Sequence, residues 1–158
     1  MNRIITLVLA LLVLVACGGG SKDVPFVKVA EDDALMAAAF KQAKENIHIL
    51  DENIGKDDLF CAIKVGFKYS EGTEYCWIGR VTKVEGSVDE YQGRFDSDPK
   101  HDIGHKLGDT VRVKQELVAD WLVKAKTGPA LGNYTLKALL PTMTPEDAAA
   151  VKRAMRWE

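Results

Sequence analysis

The sequence predicts an α+β protein: an N-terminal helix, an antiparallel sheet of about five short strands, open or barrel-like, and C-terminal helices. Apolar residues recur every three or four positions before residue 50, and they then alternate with polar residues between residues 59 and 124. A strong helix start follows at residue 144. A block of strands between terminal helices is typical of an α+β fold, whereas an α/β fold alternates the two elements.

The first helix is predicted over residues 33–49. Asp32 or Asp33 can cap it, because a carboxylate accepts hydrogen bonds from the free N–H groups of a first helical turn. Residues 24–29 before this helix have the composition of an extended edge segment, and residues 53–57 end it. Its apolar stripe consists of Met36, Phe40, Ala43, Ile47 and Leu50.

Two alternating runs, residues 59–69 and 74–81, predict a pair of strands joined by a hairpin turn. If Ser70 pairs with Thr73 across that turn, Cys76 lies opposite a residue about 20 Å along the strand from Cys61. A disulfide bridge joins Cα atoms only about 4.4–6.8 Å apart. We therefore expect two packed free thiols, although an exported protein would favour a bridge.

Three more strands and two helices complete the predicted fold. A short helix covers residues 135–140. Thr144 and Pro145 then start a closing helix, because threonine caps a helix well and proline suits its first position. The predicted strands cover residues 88–95, 110–114 and 118–124.

The N-terminus has the pattern of a bacterial lipoprotein signal. Arg3 precedes an apolar run over residues 4–15, which is shorter than the roughly 20 residues of a membrane-spanning helix. Cys17 stands at the cleavage position, as in the lipobox of bacterial lipoproteins, where this cysteine is lipidated. An ordinary signal peptide followed by a chance cysteine is the alternative.

Three segments follow from this pattern: a signal peptide at 1–16, lipidated Cys17 with a flexible tether at 17–23, and a single domain at 24–158. The lipid would hold the chain on a membrane, and Gly18 after the cysteine favours the periplasmic face of an outer membrane. Removal of residues 1–16 changes the net charge from −2 to −3. No nucleic-acid partner is expected, because such a partner requires a concentrated basic surface.

Five short motifs follow one another in the C-terminal two-thirds of the chain: residues 72–77 (GTEYCW), Gly93 with 98–99 (DP), 107–111 (LGDTV), 120–121 (DW) and 132–136 (GNYTL). In this order they resemble the YegJ-like family, whose shared region is named domain of unknown function 2314. Asn133 stands where the family usually has a second glycine, and Cys76 where it often has an aromatic residue. The resemblance covers about residues 33–150 and implies a bacterial, often exported α+β domain without an established activity.

Two groups of residues are candidates for chemistry. His101 and His105 are four residues apart, a spacing that suits zinc on a helix, but no third ligand is near in sequence and no metal or cofactor is predicted. The second group has a structural interpretation, as buried rings and caps, and a functional one, as a groove for a protein partner. It consists of Trp77, Asp120, Trp121, Tyr134 and Thr135.

The sequence favours a membrane-anchored lipoprotein whose domain binds a protein or another envelope component. An immunity-type lipoprotein that neutralises a toxin is one concrete version. The alternative is an envelope hydrolase that uses carboxylates or His101 and His105. No nucleophilic elbow, phosphate-binding loop or Cys-x-x-Cys motif is present to favour catalysis.

Overall fold

The computed structural model describes residues 34–157, together with the backbone of two paired strands, β1 (Leu7–Val8) and β2 (Lys28–Val29). Cys17, the tether at 17–23 and most of the predicted signal peptide lie outside the described residues. The helices are α1 (Ala34–Glu45), α2 (Ile47–Asn53), α3 (Tyr134–Leu139) and α4 (Pro145–Met155). The remaining strands are β3 (Leu59–Tyr69), β4 (Gly72–Lys83), β5 (Glu90–Phe95), β6 (Thr110–Lys114), β7 (Val118–Ala125) and β8 (Leu131–Gly132).

The predicted α+β fold class is confirmed, with six strands in the main sheet instead of about five. The strand order is β6-β5-β4-β3-β7-β8, and every neighbouring pair is antiparallel. The barrel-like alternative is wrong, because β6 and β8 form two separate edges of an open sheet. The sixth strand, β8, has only two residues, too few for an alternating pattern to be recognised in the sequence.

The predicted first helix is two helices with a break at Asn46. The Asn46 side chain donates a hydrogen bond to the Gln42 carbonyl (2.9 Å), an interaction that competes with regular helix geometry. The helix after the break extends to Asn53, four residues beyond the predicted end. The closing helix starts as predicted, since the Thr144 hydroxyl accepts a hydrogen bond from the Asp147 backbone N–H (3.2 Å).

The β3–β4 hairpin turn lies one residue earlier in the chain than predicted. Tyr69 pairs with Gly72, so Cys76 lies opposite Val65 and not opposite Phe67, its partner if Ser70 paired with Thr73. A shift of two residues keeps every side chain on its predicted face. Cys61 is four positions from Val65, about 13 Å along the strand, and both thiols are free and buried. Burial raises the pKa of Cys61 to about 11 and that of Cys76 to about 12, which keeps both thiols protonated.

Helices cover both faces of the sheet. On the face called inner here, α1 and α2 pack through Ala43 and Leu50 against alternate residues of β3 to β7. On the opposite, outer face, α3 and α4 pack against β3, β4 and β7. That outer cluster consists of Ala62, Trp77, Leu122, Ala130, Leu136, Val151 and Met155, so it contains no residue of β5 or β6.

Candidate functional site

Asp120 lies at the centre of a buried polar network beneath α3. Its side chain is on β7 and is fully buried. Oδ1 accepts hydrogen bonds from the backbone N–H groups of Trp121 (2.8 Å) and Tyr134 (3.1 Å). Oδ2 accepts from the backbone N–H of Thr135 (2.8 Å) and from its hydroxyl (2.7 Å). Asp120 therefore caps α3 from a neighbouring strand, at the helix end where negative charge is favoured.

Lys64 supplies the opposite charge in this network. It lies across from Asp120 in the β3–β7 pair, and its ammonium donates a hydrogen bond to the Thr135 hydroxyl (2.7 Å). The ammonium is also 4.9 Å from the ring centroid of Trp77. Burial lowers the pKa of Lys64 to about 8, and the nearby Asp120 carboxylate partly offsets that shift. The hydroxyl of Thr135 thus links two buried charges that neutralise each other.

The titration of Lys64 should make the unfolding free energy depend on pH. Its pKa is about 8 in the folded protein, whereas the ordinary value for lysine is 10.5, so the unfolded chain binds more protons between these values. The unfolding free energy of the wild type, relative to Lys64→Met, should therefore rise between pH 8 and 10.5, by at most about 1.4 kcal/mol per pH unit. Urea denaturation of both proteins at several pH values measures this difference. If the unfolding free energies of the two proteins change with pH in the same way, Lys64 does not titrate in the folded interior.

The aromatic residues predicted to line a groove lie on opposite faces of the sheet. Trp77 points to the outer face and is nearly buried, whereas Trp121 points to the inner face and is fully buried. The Trp121 ring N–H donates to the Ala43 carbonyl (2.8 Å), and Tyr134 packs edge-on against that ring. Because neighbouring strand residues alternate between faces, the two tryptophans do not share one open groove. Only Tyr134 among the five predicted residues is partly exposed.

His101 and His105 lie in the β5–β6 connection, which folds over the inner face. His101 Nδ1 is 2.9 Å from Glu74 Oε2, and its ring stacks on Tyr69. His105 stacks instead on Phe95. Within residues 34–157 no group of three histidine, cysteine or acidic side chains is placed to hold a metal ion. The two histidines contact different partners, so the structure does not bring them together into one site.

The outer face of β5, β6 and the second half of β4 carries exposed cations. We call this surface the basic sheet face and define it by Arg80, Arg94, Arg112 and Lys114. The helices that cover the rest of the outer face do not reach it. The inner side chains of the same strands, Tyr91, Phe95, Val111 and Val113, are buried, so the alternation fixes which residues face outward.

Two arginines of this face are held by the protein through Nε. Arg94 Nε donates to the Gly108 carbonyl (3.2 Å), and Arg112 Nε lies 3.4 Å from Gln92 Oε1. Arg94 pairs with Thr110, so Arg94 and Arg112 are diagonal neighbours, roughly 7–8 Å apart. Anchoring at Nε orients each planar guanidinium and leaves its terminal nitrogens for an oxyanion, which arginine binds in a bidentate manner.

Arg80 occupies a β-bulge at the edge of the basic sheet face. The register shifts between Gly79 and Thr82, so that Arg80 and Val81 together lie opposite Gly93. Arg80 has a φ of +53°, a left-handed conformation that disfavours any residue with a Cβ atom. Bulges of this kind redirect side chains and are common beside functional sites.

The bulge is surrounded by Gly79 and Gly93, which leave no space for a Cβ atom, and by the Asp96 carboxylate. A Cβ atom on Gly93 would lie 2.8 Å from Ile78 Cγ2 and 2.9 Å from the Gly79 carbonyl oxygen. A Cβ atom on Gly79 would overlap the Asp96 carboxylate, which lies over that residue. Burial raises the pKa of Asp96, and Arg80 and Arg94 act in the opposite direction. Arg80 and Arg94 therefore lie near enough to this partly buried carboxylate to act on its pKa.

Replacing Arg80 with glycine should leave the fold as stable or make it more stable. Glycine adopts the left-handed conformation without strain, so the unfolding free energy should rise by up to about 1 kcal/mol. Thermal unfolding followed by circular dichroism measures this change. A loss of more than about 1 kcal/mol would show that Arg80 stabilises the fold instead of storing strain at a functional surface.

Sequence reasoning missed the basic sheet face because it averaged charge over the whole chain. A net charge of −2 conceals a local surface on which cations outnumber anions. The alternation was a usable signal, since Thr110, Arg112 and Lys114 alternate with the two buried valines of β6. Their proximity to Arg80 and Arg94 depends on strand order, which the sequence pattern does not specify.

Comparison with protein-family models relates this chain to a known family. No curated protein and no solved structure shows significant similarity to this chain. A family model described as an uncharacterized protein conserved in bacteria matches residues 32–157, which include α1 to α4 and all six strands of the main sheet. The chain therefore belongs to this bacterial family, domain of unknown function 2314.

Proposed function

We propose that this protein is an exported lipoprotein, anchored by Cys17, whose domain is a non-enzymatic module that binds an anionic envelope component. The signal-like segment and Cys17 support the anchor. No helix among the described residues is long and apolar enough to cross a membrane. The observation that carries the binding role is the basic sheet face, a sheet surface left uncovered by α3 and α4.

The basic sheet face has the properties of a prepared binding surface. Its strands are fixed by the buried inner core, so the cations are held on rigid elements. Anchored guanidinium groups lose less conformational entropy on binding than free lysine side chains do. Arg80 has a left-handed backbone that is strained for a residue with a Cβ atom, and strain of this kind is concentrated at functional sites. An immunity-type lipoprotein would use the same face against an acidic patch on its toxin.

Site-specific photo-crosslinking in intact cells tests this proposal. A photoreactive residue at Thr110 would lie within the basic sheet face, whereas one at Glu52 would lie on α2, which packs on the opposite face of the sheet. We expect adducts from position 110 and none from position 52. Cys17→Ser should either release the folded domain or block its processing, and it should lower the adduct yield. Equal yields from both positions would contradict the proposal.

One observation favours the alternative, an envelope hydrolase. Glu74 is nearly buried and accepts hydrogen bonds from the backbone N–H groups of Lys100 (2.8 Å) and His101 (2.9 Å). Together with the contact to His101 Nδ1, this is the carboxylate–histidine arrangement of a general base. The same hydrogen bonds of Glu74 also have a structural role, because they attach the β5–β6 connection to strand β4. Hydrolysis of an ester panel by the wild type, lost in an equally stable His101→Gln variant, would establish the enzyme instead.

A further inference from the structure

We propose that the basic sheet face docks on the phosphate-bearing headgroups of the anionic bilayer that holds the Cys17 anchor. This inference rests on the proposed function and names its ligand. Charge complementarity is the first argument, since Arg80, Arg94, Arg112 and Lys114 face solvent on one side of three adjacent strands. Guanidinium groups held through Nε present their remaining donors outward, an arrangement that matches phosphate oxygens.

The composition of the face argues against a protein partner. Protein interfaces depend on a few buried aromatic or apolar anchors surrounded by polar contacts. The exposed large apolar side chains of the described residues all lie outside β4, β5 and β6. They are Leu35, Val88, Leu107, Leu117 and Leu131. A flat, charged surface without an anchor suits headgroups that recur across a membrane better than a single protein patch.

The chain between anchor and domain is long enough for this arrangement. Sixteen residues lie between Cys17 and Ala34, the first residue of α1, and at full extension the distance from Cys17 to Ala34 is at most about 60 Å. A domain of this size is about 35 Å across. This upper limit exceeds the width of the domain, so the length of the chain alone does not prevent the basic sheet face from reaching the bilayer.

The expected size of the effect follows from the surface potential of anionic membranes. Each basic residue near such a surface favours binding about fivefold, and the effect decays within a Debye length. Removal of three cations should therefore shift the equilibrium between docked and undocked orientations by roughly 100-fold. In 1 M salt the Debye length falls to about 3 Å, so docking should be lost.

The experiment uses the full-length lipidated protein, reconstituted in vesicles of phosphatidylcholine alone or mixed with phosphatidylglycerol. A fluorophore is attached to Thr110→Cys on the basic sheet face or to Glu52→Cys on α2. Burial raises the pKa of Cys61 and Cys76, so these thiols should remain unlabelled. Quenching by neutral acrylamide then reports how far each fluorophore is shielded by the bilayer.

We expect shielding at position 110, and not at position 52, only in the anionic vesicles and only at low salt. The variant R80Q/R94Q/R112Q should lose it, whereas a variant with the same charge change elsewhere, K41Q/K126Q/K152Q, should keep it. Circular dichroism verifies that both variants fold. Equal shielding at both positions, or no loss in the arginine variant, would overturn the inference.

The outcome also separates this inference from the proposed function. If position 110 crosslinks in cells but is unshielded on anionic vesicles, the module binds another anionic component, such as an acidic protein, and the lipid inference fails alone. If position 110 neither crosslinks nor becomes shielded, both proposals fail.

Discussion

Replacing Asp120 with alanine should destabilise the protein by about 3–5 kcal/mol, a value typical for removing one partner of a buried charge pair. The variant leaves the buried ammonium of Lys64 without its opposite charge. It also leaves three backbone N–H groups, those of Trp121, Tyr134 and Thr135, without an acceptor. Urea denaturation measures the loss, and incomplete folding at room temperature is within the expected range.

Asp147→Ala is the matched control, because Asp147 likewise places a carboxylate at the N-terminus of a helix and accepts a hydrogen bond from a threonine hydroxyl. Asp147 is only partly buried and lies at the surface of α4, so its removal should cost about 1 kcal/mol or less. Adding Lys64→Met to Asp120→Ala should recover part of the stability by removing the unpaired charge. An Asp120→Ala variant that stays stable but no longer binds the envelope component would contradict this structural role and show that Asp120 takes part in binding.

Replacing Gly132 with alanine should produce the second large loss, about 3 kcal/mol or more. Gly132 has a φ of +75°, where a Cβ atom is strained. The added methyl group would also overlap the backbone carbonyl of Trp121 and lie 2.7 Å from a carbon of its indole ring. Because the indole is fully buried, neither group can move away without a shift of the core. Thermal or urea unfolding measures the loss.

Gly128→Ala separates the two causes. Gly128 has a similar φ of +85°, but nothing lies within 4 Å of the position that a Cβ atom would occupy. This variant should therefore lose only about 1–2 kcal/mol of stability, the cost of placing a residue with a Cβ atom in the left-handed conformation. Equal losses in the two variants would show that Gly132 is required for its backbone conformation alone and not for its packing against Trp121.

The elements with a strong period were predictable from the sequence. Strands β3 and β6 occupy residues 59–69 and 110–114 as predicted, because their inward residues alternate without interruption. The start of α4 followed from Thr144 and Pro145. The interruption at Asn46 and the one-residue shift of the β3–β4 turn were not predicted, because each depends on a hydrogen bond or turn geometry that does not change the hydrophobic period.

The candidate site was much less predictable than the fold. Asp120 and Thr135 were selected from the sequence, but Lys64, which completes their network, was placed among the solvent-facing residues of an alternating strand. In β3 both faces are buried, so the polar position of the pattern lies inside the protein. Arg80, Arg94 and Arg112 are far apart in sequence and meet only through strand order and a bulge.

The buried network around Asp120 and the basic sheet face therefore have different roles. Lys64, Thr135 and Asp120 hold α3 on the sheet and are closed to partners by their burial. The basic sheet face contributes little to the core and is open to solvent. Stability variants should act on the first region without changing ligand choice, and charge variants of the second should act on binding without changing stability.

The measurement that tests the central claim most directly is the crosslinking yield at position 110 in Arg80→Gly, read together with its unfolding midpoint. If the basic sheet face is the functional surface, the yield should fall at least several-fold while the midpoint stays unchanged or rises. An undiminished yield in a folded, correctly exported variant would contradict the claim that this strained arginine and its face bind the envelope component.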